Sequence, residues 1–122
     1  MTASVYHVDY QKNEGRELSL DVRFSPTEEK IKQALQANLY KKVAEVDSND
    51  LEKVFELTNS IDNYWGENEG VKLITAENRS TSVGDIVELD GKVHVVASMG
   101  YKKLSDELLS LLPQQKTKKY GL

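Results

Sequence analysis

A chain of 122 residues, 39% hydrophobic and 30% charged, is the size of one domain and can bury most of the apolar surface its unfolded form would expose. With no cysteine, disulfide frameworks, zinc-thiolate centres and cysteine nucleophiles are excluded, which fits a reducing cytoplasm. The net charge of −4 divides into an acidic body, with 11 Lys/Arg against 18 Asp/Glu in residues 1–100, and a basic end, with 5 against 2 in residues 101–122, so the body repels nucleic-acid phosphates.

No apolar run approaches the roughly 20 residues of a membrane span. Met1-Thr2-Ala3-Ser4 has neither the basic region nor the apolar core of a signal peptide. The expected setting is the cytoplasm, with no membrane partner.

Leu18, Leu20, Val22 and Phe24 alternate with Ser19, Asp21 and Arg23, the period of a half-buried strand. Tyr6, Val8 and Tyr10 alternate in the same way, so an N-terminal hairpin is expected, with Tyr10 facing Leu18, Val8 facing Leu20 and Tyr6 facing Val22. That register sets His7 beside Asp21 on the outward face. Ser25-Pro26-Thr27-Glu28 then reads as a helix start, with Ser25 as cap, Pro26 at the first position and Glu28 completing a capping box. Ile31, Ala34, Leu35 and Leu39 form the apolar stripe of this helix.

Val43 and Val46 suit a short strand over residues 40–47. A second helix starts at Ser48 or Asp50, turns Leu51, Val54, Phe55 and Thr58 to one face, and fades near Ile61. Residues 62–70 read as a loop and 71–75 as a short strand. Asp90-Gly91 marks a two-residue type I′ turn between strands 86–89 and 93–97, pairing Ile86 with Val95 and Val87 with His94. Both faces of this hairpin are apolar, so it belongs near the sheet centre with cover on both sides. Ser105 caps a short closing helix over residues 106–112, ended by Pro113. The expected fold is α+β, a single domain over residues 1–113 with a mostly antiparallel sheet from N-terminal and C-terminal hairpins, two helices between them, and a flexible basic tail over residues 114–122.

The densest polar segment is Arg79-Ser80-Thr81-Ser82-Val83-Gly84-Asp85. Its guanidinium, hydroxyls and amides suit an anion, but they equally suit a strand entry whose hydroxyls satisfy backbone groups while Arg79 pairs with an acid such as Asp62. There is no Gly-rich phosphate loop. Trp65, in a polar loop, is either an interaction anchor or, more commonly, a lid on the core. His7 and His94 lack metal-ligand spacing, no pair of carboxylates is singled out, and charge runs such as Glu28-Glu29 are usually solvated faces. No catalytic, cofactor or metal residue is nominated. Leu108-Leu109-Ser110-Leu111-Leu112 matches the short pattern of groove-binding helices, yet it more often packs on its own domain and leaves a dimer surface. Lys116, Lys118 and Lys119 are too few to define a nucleic-acid site.

Thr58-Asn59-Ser60-Ile61-Asp62, Trp65, the 79–85 segment and the step Met99-Gly100-Tyr101 resemble a pattern in small uncharacterised proteins of bacteriophages and other mobile elements. The resemblance spans residues 43–104, and the C-terminal half of that stretch also looks like the YodL-like domain. It implies a phage or plasmid accessory protein and supplies no catalytic residues. The expected role is non-enzymatic protein binding, with a homodimer as one candidate form, through Asn59, Ser60, Asp62, Trp65, Arg79, Ser80, Thr81 and Ser82. An acidic DNA mimic with anti-restriction activity is the first alternative. A small ligand- or nucleotide-binding domain using the 79–82 loop is the second.

Overall fold

The computed structural model describes residues 2–9, 15–59, 65, 68–74 and 79–113. In chain order these form β1 (Ala3–Val8), α1 (Arg16–Phe24), α2 (Glu28–Gln36), β2 (Tyr40–Val46), α3 (Leu51–Thr58), β3 (Val71–Leu73), β4 (Ile86–Leu89), β5 (Lys92–Ala97), β6 (Gly100–Lys103) and a 3₁₀ helix (Asp106–Leu111). The strands make one six-stranded sheet in the order β3-β2-β1-β4-β5-β6, with every neighbouring pair antiparallel. This is the α+β fold expected. Among the described residues, no helix is long and apolar enough to cross a membrane.

β1 is central, and it serves two cores because its side chains alternate between faces. Tyr6 and Val8 join Ile86, Val93 and Val95 beneath Val22 of α1, Ile31, Ala34 and Leu35 of α2, and Leu104, Leu108 and Leu112 of the closing segment. On the opposite face Ala3, Val5, Val46 and Val87 pack with Val54 of α3 and Trp65. A β-bulge in β2 keeps both faces apolar. Val5 pairs with Ala44 but Tyr6 pairs with Lys42, so Val43 is the extra residue, and the parity change turns Tyr40 into the first core.

The expected N-terminal hairpin is replaced by β1 followed by a helix. Both edges of β1 are occupied by distant strands, β2 and β4, which leaves no place for a local partner. Residues 16–24 instead cover one face of the sheet as α1. Leu18 and Val22 lie one turn apart and face inward with Ser19, whereas Phe24, on the same two-residue alternation, is 82% exposed. Tertiary packing overrides the local strand-like period. His7 consequently does not meet Asp21 on an outer face; it is fully buried. Tyr10 lies outside the described residues.

The start of α2 is also shifted. Thr27, not Ser25, is the cap, its hydroxyl accepting from Lys30 N–H at 3.3 Å. Glu28 does not close a capping box but accepts from the Ser105 N–H at 2.9 Å, tying α2 to the closing segment. Asp50 caps α3 by accepting from Glu52 N–H at 3.0 Å. The β4–β5 hairpin has the expected register, and Asp90 and Gly91 take φ values of 57° and 77°, the pair of positive values that a type I′ turn requires.

The sequence reading omitted β6, a third strand after that hairpin. The closing helix is 3₁₀ rather than α, capped by Ser105 as expected. It buries Leu108 and Leu112 and half-buries Leu111, leaving Leu109 at 38% exposure. Residues 114–122, read as a basic tail, lie outside the described residues.

The helical form of α1 separates two residues that a strand would treat alike. Val22→Ala is expected to lower the urea midpoint clearly, and Leu20→Ala, on the half-exposed side, to lower it less. Equal losses would favour the strand.

Candidate functional site

The 79–85 segment folds around the carboxylate of Asp85. Oδ1 accepts from the Val8 N–H at 3.0 Å and from Arg79 Nη2 at 3.0 Å; Oδ2 accepts from Arg79 Nη1 at 2.8 Å and from the Ser82 N–H at 2.8 Å. Four donors thus meet a carboxylate that is fully buried. Arg79 binds it bidentately, the geometry a planar guanidinium favours. The same guanidinium donates to the Val8 carbonyl at 3.0 Å, to the Ser80 carbonyl at 3.2 Å and to Ser82 Oγ at 3.0 Å.

This arrangement has a backbone cause. The β1–β4 ladder ends at Tyr6 opposite Ile86, so Val8 has no strand partner on that side. Its N–H and C=O are matched by the side chains of Asp85 and Arg79, which together extend the ladder by one residue.

Gly84 allows the segment to sit close. Its φ is +94°, and a Cβ there would lie 3.2 Å from Val22 Cγ1 and 3.3 Å from the backbone of Arg23 in α1. Tyr40 donates its hydroxyl to the Gly84 carbonyl. Burial pushes that hydroxyl well above the ordinary tyrosine range, and the negative charge of Asp85 adds to the effect. Arg23 Nη1 donates to Ser82 Oγ at 3.0 Å.

Thr81 links the loop to α3 and β1. Its N–H donates to the Thr58 carbonyl at 2.9 Å, its carbonyl accepts from Asn59 Nδ2 at 2.6 Å, and its hydroxyl lies 2.9 Å from His7 Nε2. Trp65 is 1% exposed; its indole N–H donates to the Arg79 carbonyl at 3.0 Å and its ring sits 6.0 Å from that of His7. The residue is therefore a lid, with its polar atom satisfied.

Asn59, Trp65, Arg79, Ser80, Thr81 and Ser82 come together as one cluster, while Ser60 and Asp62 lie outside the described residues. Arg79 pairs with Asp85, six positions on in its own loop, and a pairing with Asp62 lies outside the described residues. His7, Asp85, Tyr40 and Arg23 belong to the cluster and were not nominated. Asp85 carried one signal: an acid directly before a buried strand, where a turn needs only Gly84.

Thr81, His7 and Asp85 superficially suggest a nucleophile, base and acid. Such a triad needs the acid on the opposite ring nitrogen from the nucleophile, and a nucleophile that substrate can reach. Here Thr81 Oγ1 and Asp85 Oδ2 both approach Nε2, at 2.9 and 3.8 Å, and all three side chains are buried. The geometry is that of a polar core element. Among the described residues no group of His, Asp and Glu is arranged to hold a metal. No protein-family model matches the chain, and neither the curated proteins nor the solved structures contain a significant match.

Asp85→Asn keeps the shape and removes the fully buried charge that the partly buried Arg79 faces. Urea denaturation is expected to show a loss of about 3–5 kcal/mol, the usual cost of breaking a buried ion pair from one side. A loss under about 1 kcal/mol, typical of a surface pair, would contradict this account.

Proposed function

We propose that this chain is a non-enzymatic accessory protein of a phage or other mobile element, acting by binding another protein. The mobile-element part of this reading rests on the resemblance carried by residues 43–104. The binding part is supported by one observation: two large apolar side chains stand in solvent at the β5–β6 turn, Met99 within the turn and Phe24 on α1 beside a cleft that borders it. Met99 is 91% exposed and Phe24 is 82% exposed. Phe24 borders a cleft of about 270 Å³ with Pro26, Val83 and Ala97. Across the turn, Phe55, Val96 and Tyr101 line a second cleft of about 250 Å³. Large exposed apolar residues grouped around shallow clefts are a common mark of a protein-contact surface.

This surface differs from the one read in the sequence. Asn59, Trp65, Arg79, Thr81 and Ser82 direct hydrogen bonds into the fold, which favours the exposed apolar side chains as the contact surface. A homodimer is the second form this reading takes, since Phe24, Met99 and Leu109 are the large apolar side chains left exposed among the described residues.

The DNA-mimic reading has one supporting observation. Asp47, Asp50, Glu52, Glu56 and Glu69 are all exposed around α3, with Lys53 among them. A single experiment separates the two. A photo-crosslinking residue at position 24 or 99 is expected to capture one specific protein in lysate of the source cell. Phe24→Asp with Met99→Asp is expected to abolish affinity capture of that protein without moving the melting temperature. Capture that survives this variant and fails with Glu52→Lys and Glu56→Lys would favour the mimic.

A further inference from the structure

β6 is the outermost strand of the sheet, and among the described residues no element pairs with its outer side. The Leu104 N–H donates to the Val93 carbonyl at 2.8 Å. Bonded and non-bonded pairs alternate along an antiparallel ladder, so Tyr101 and Lys103 turn their own N–H and C=O groups away from β5 to the open edge. Val96, opposite Tyr101, agrees with this count, since it gives its N–H to Asp85 on β5's other side.

We propose that this edge receives an extended acidic segment of another protein as an added strand. The inference rests on the protein-binding reading and names the partner's chemistry. Strand addition draws affinity from main-chain hydrogen bonds and specificity from pockets that take alternate side chains. Both components are present at β6. The two clefts flank its first residues on opposite faces of the sheet, one lined by Phe55 and Tyr101, the other by Phe24 and Lys102. Consecutive residues of an added strand point to opposite faces, so two adjacent apolar residues enter the two clefts.

Charge decides which strand fits. Lys102 and Lys103 are exposed along the edge; Lys103 also meets Asp106 at 3.2 Å, an exposed pair of the weak kind that an incoming carboxylate can replace. A second copy of β6 across a twofold axis would crowd the four lysines of the two strands into one short patch, which is unfavourable, whereas Asp or Glu facing these positions is favourable. The occupant is therefore a segment with two apolar residues followed by acids, and not a copy of this strand.

The test is selection from a random-peptide display library against the full chain, followed by fluorescence anisotropy of a labelled synthetic representative. Enriched peptides are expected to share an apolar pair next to acidic residues. Binding should weaken about tenfold with Lys102→Glu and Lys103→Glu together. A peptide with its acids changed to lysine should recover affinity for that variant, and N-methylation of alternate peptide amides should abolish binding.

No enrichment, or peptides without acids whose binding ignores charge reversal, would overturn the inference. Binding that is indifferent to N-methylation but lost with Phe24→Asp would remove strand addition and leave the protein-binding reading in place. If crosslinking from positions 24 and 99 also captured nothing, both would fall.

Discussion

Val8 lies beyond the end of the β1–β4 ladder, in a position only 2% exposed, and the N–H and C=O it turns toward that gap must find partners that water cannot supply. A buried, unpaired backbone group costs about as much as a lost hydrogen bond, roughly 1–3 kcal/mol. The solution is a carboxylate for the N–H and a guanidinium for the C=O. Those two groups then neutralise one another, so one constraint on the central strand dictates the residues at positions 79 and 85.

Much of the surrounding structure follows from holding that carboxylate. Asp85 also accepts the Ser82 N–H, which curls residues 82–85 into a tight turn, and Gly84 lets the turn rest against α1. Arg79 in turn offers its carbonyl to Trp65, so the lid of the second core is anchored on the residue that braces the first strand. Thr81 carries the same connection to the end of α3 and to His7. Both cores therefore meet at one polar cluster, and a buried ion pair of this kind specifies the geometry more than it adds net stability.

The β4–β5 hairpin was legible because its signals are local. Asp90-Gly91 determines a turn by its own backbone preference, and the register of Ile86 and Val87 follows directly. Asp50, Ser105 and the stripe from Ile31 to Leu35 likewise carry their structure within a few residues. The reading of residues 6–24 failed because the deciding fact was distant. Leu18, Leu20, Val22 and Phe24 satisfy a strand period, but β1 was already claimed by β2 and β4, and nothing near residue 18 reports that. For the same reason His7 was placed outside. In the polar cluster, Arg79 and its hydroxyls stood out by composition, whereas the roles of Asp85 and Val8 depend on where β4 begins. The exposure of Phe24 and Met99 was not legible, because both look like ordinary core residues until α1 and the β5–β6 turn are in place.

The central claim is that Asp85 and Arg79 complete the β1 ladder as firmly as a strand would. Native-state hydrogen exchange of the Val8 and Ser82 amides reads this directly. The account predicts that both amides exchange only through global unfolding, with opening free energies equal to that from urea denaturation and falling with denaturant at the same slope. Exchange of Val8 at a denaturant-independent rate, close to that of an unprotected amide, would contradict it.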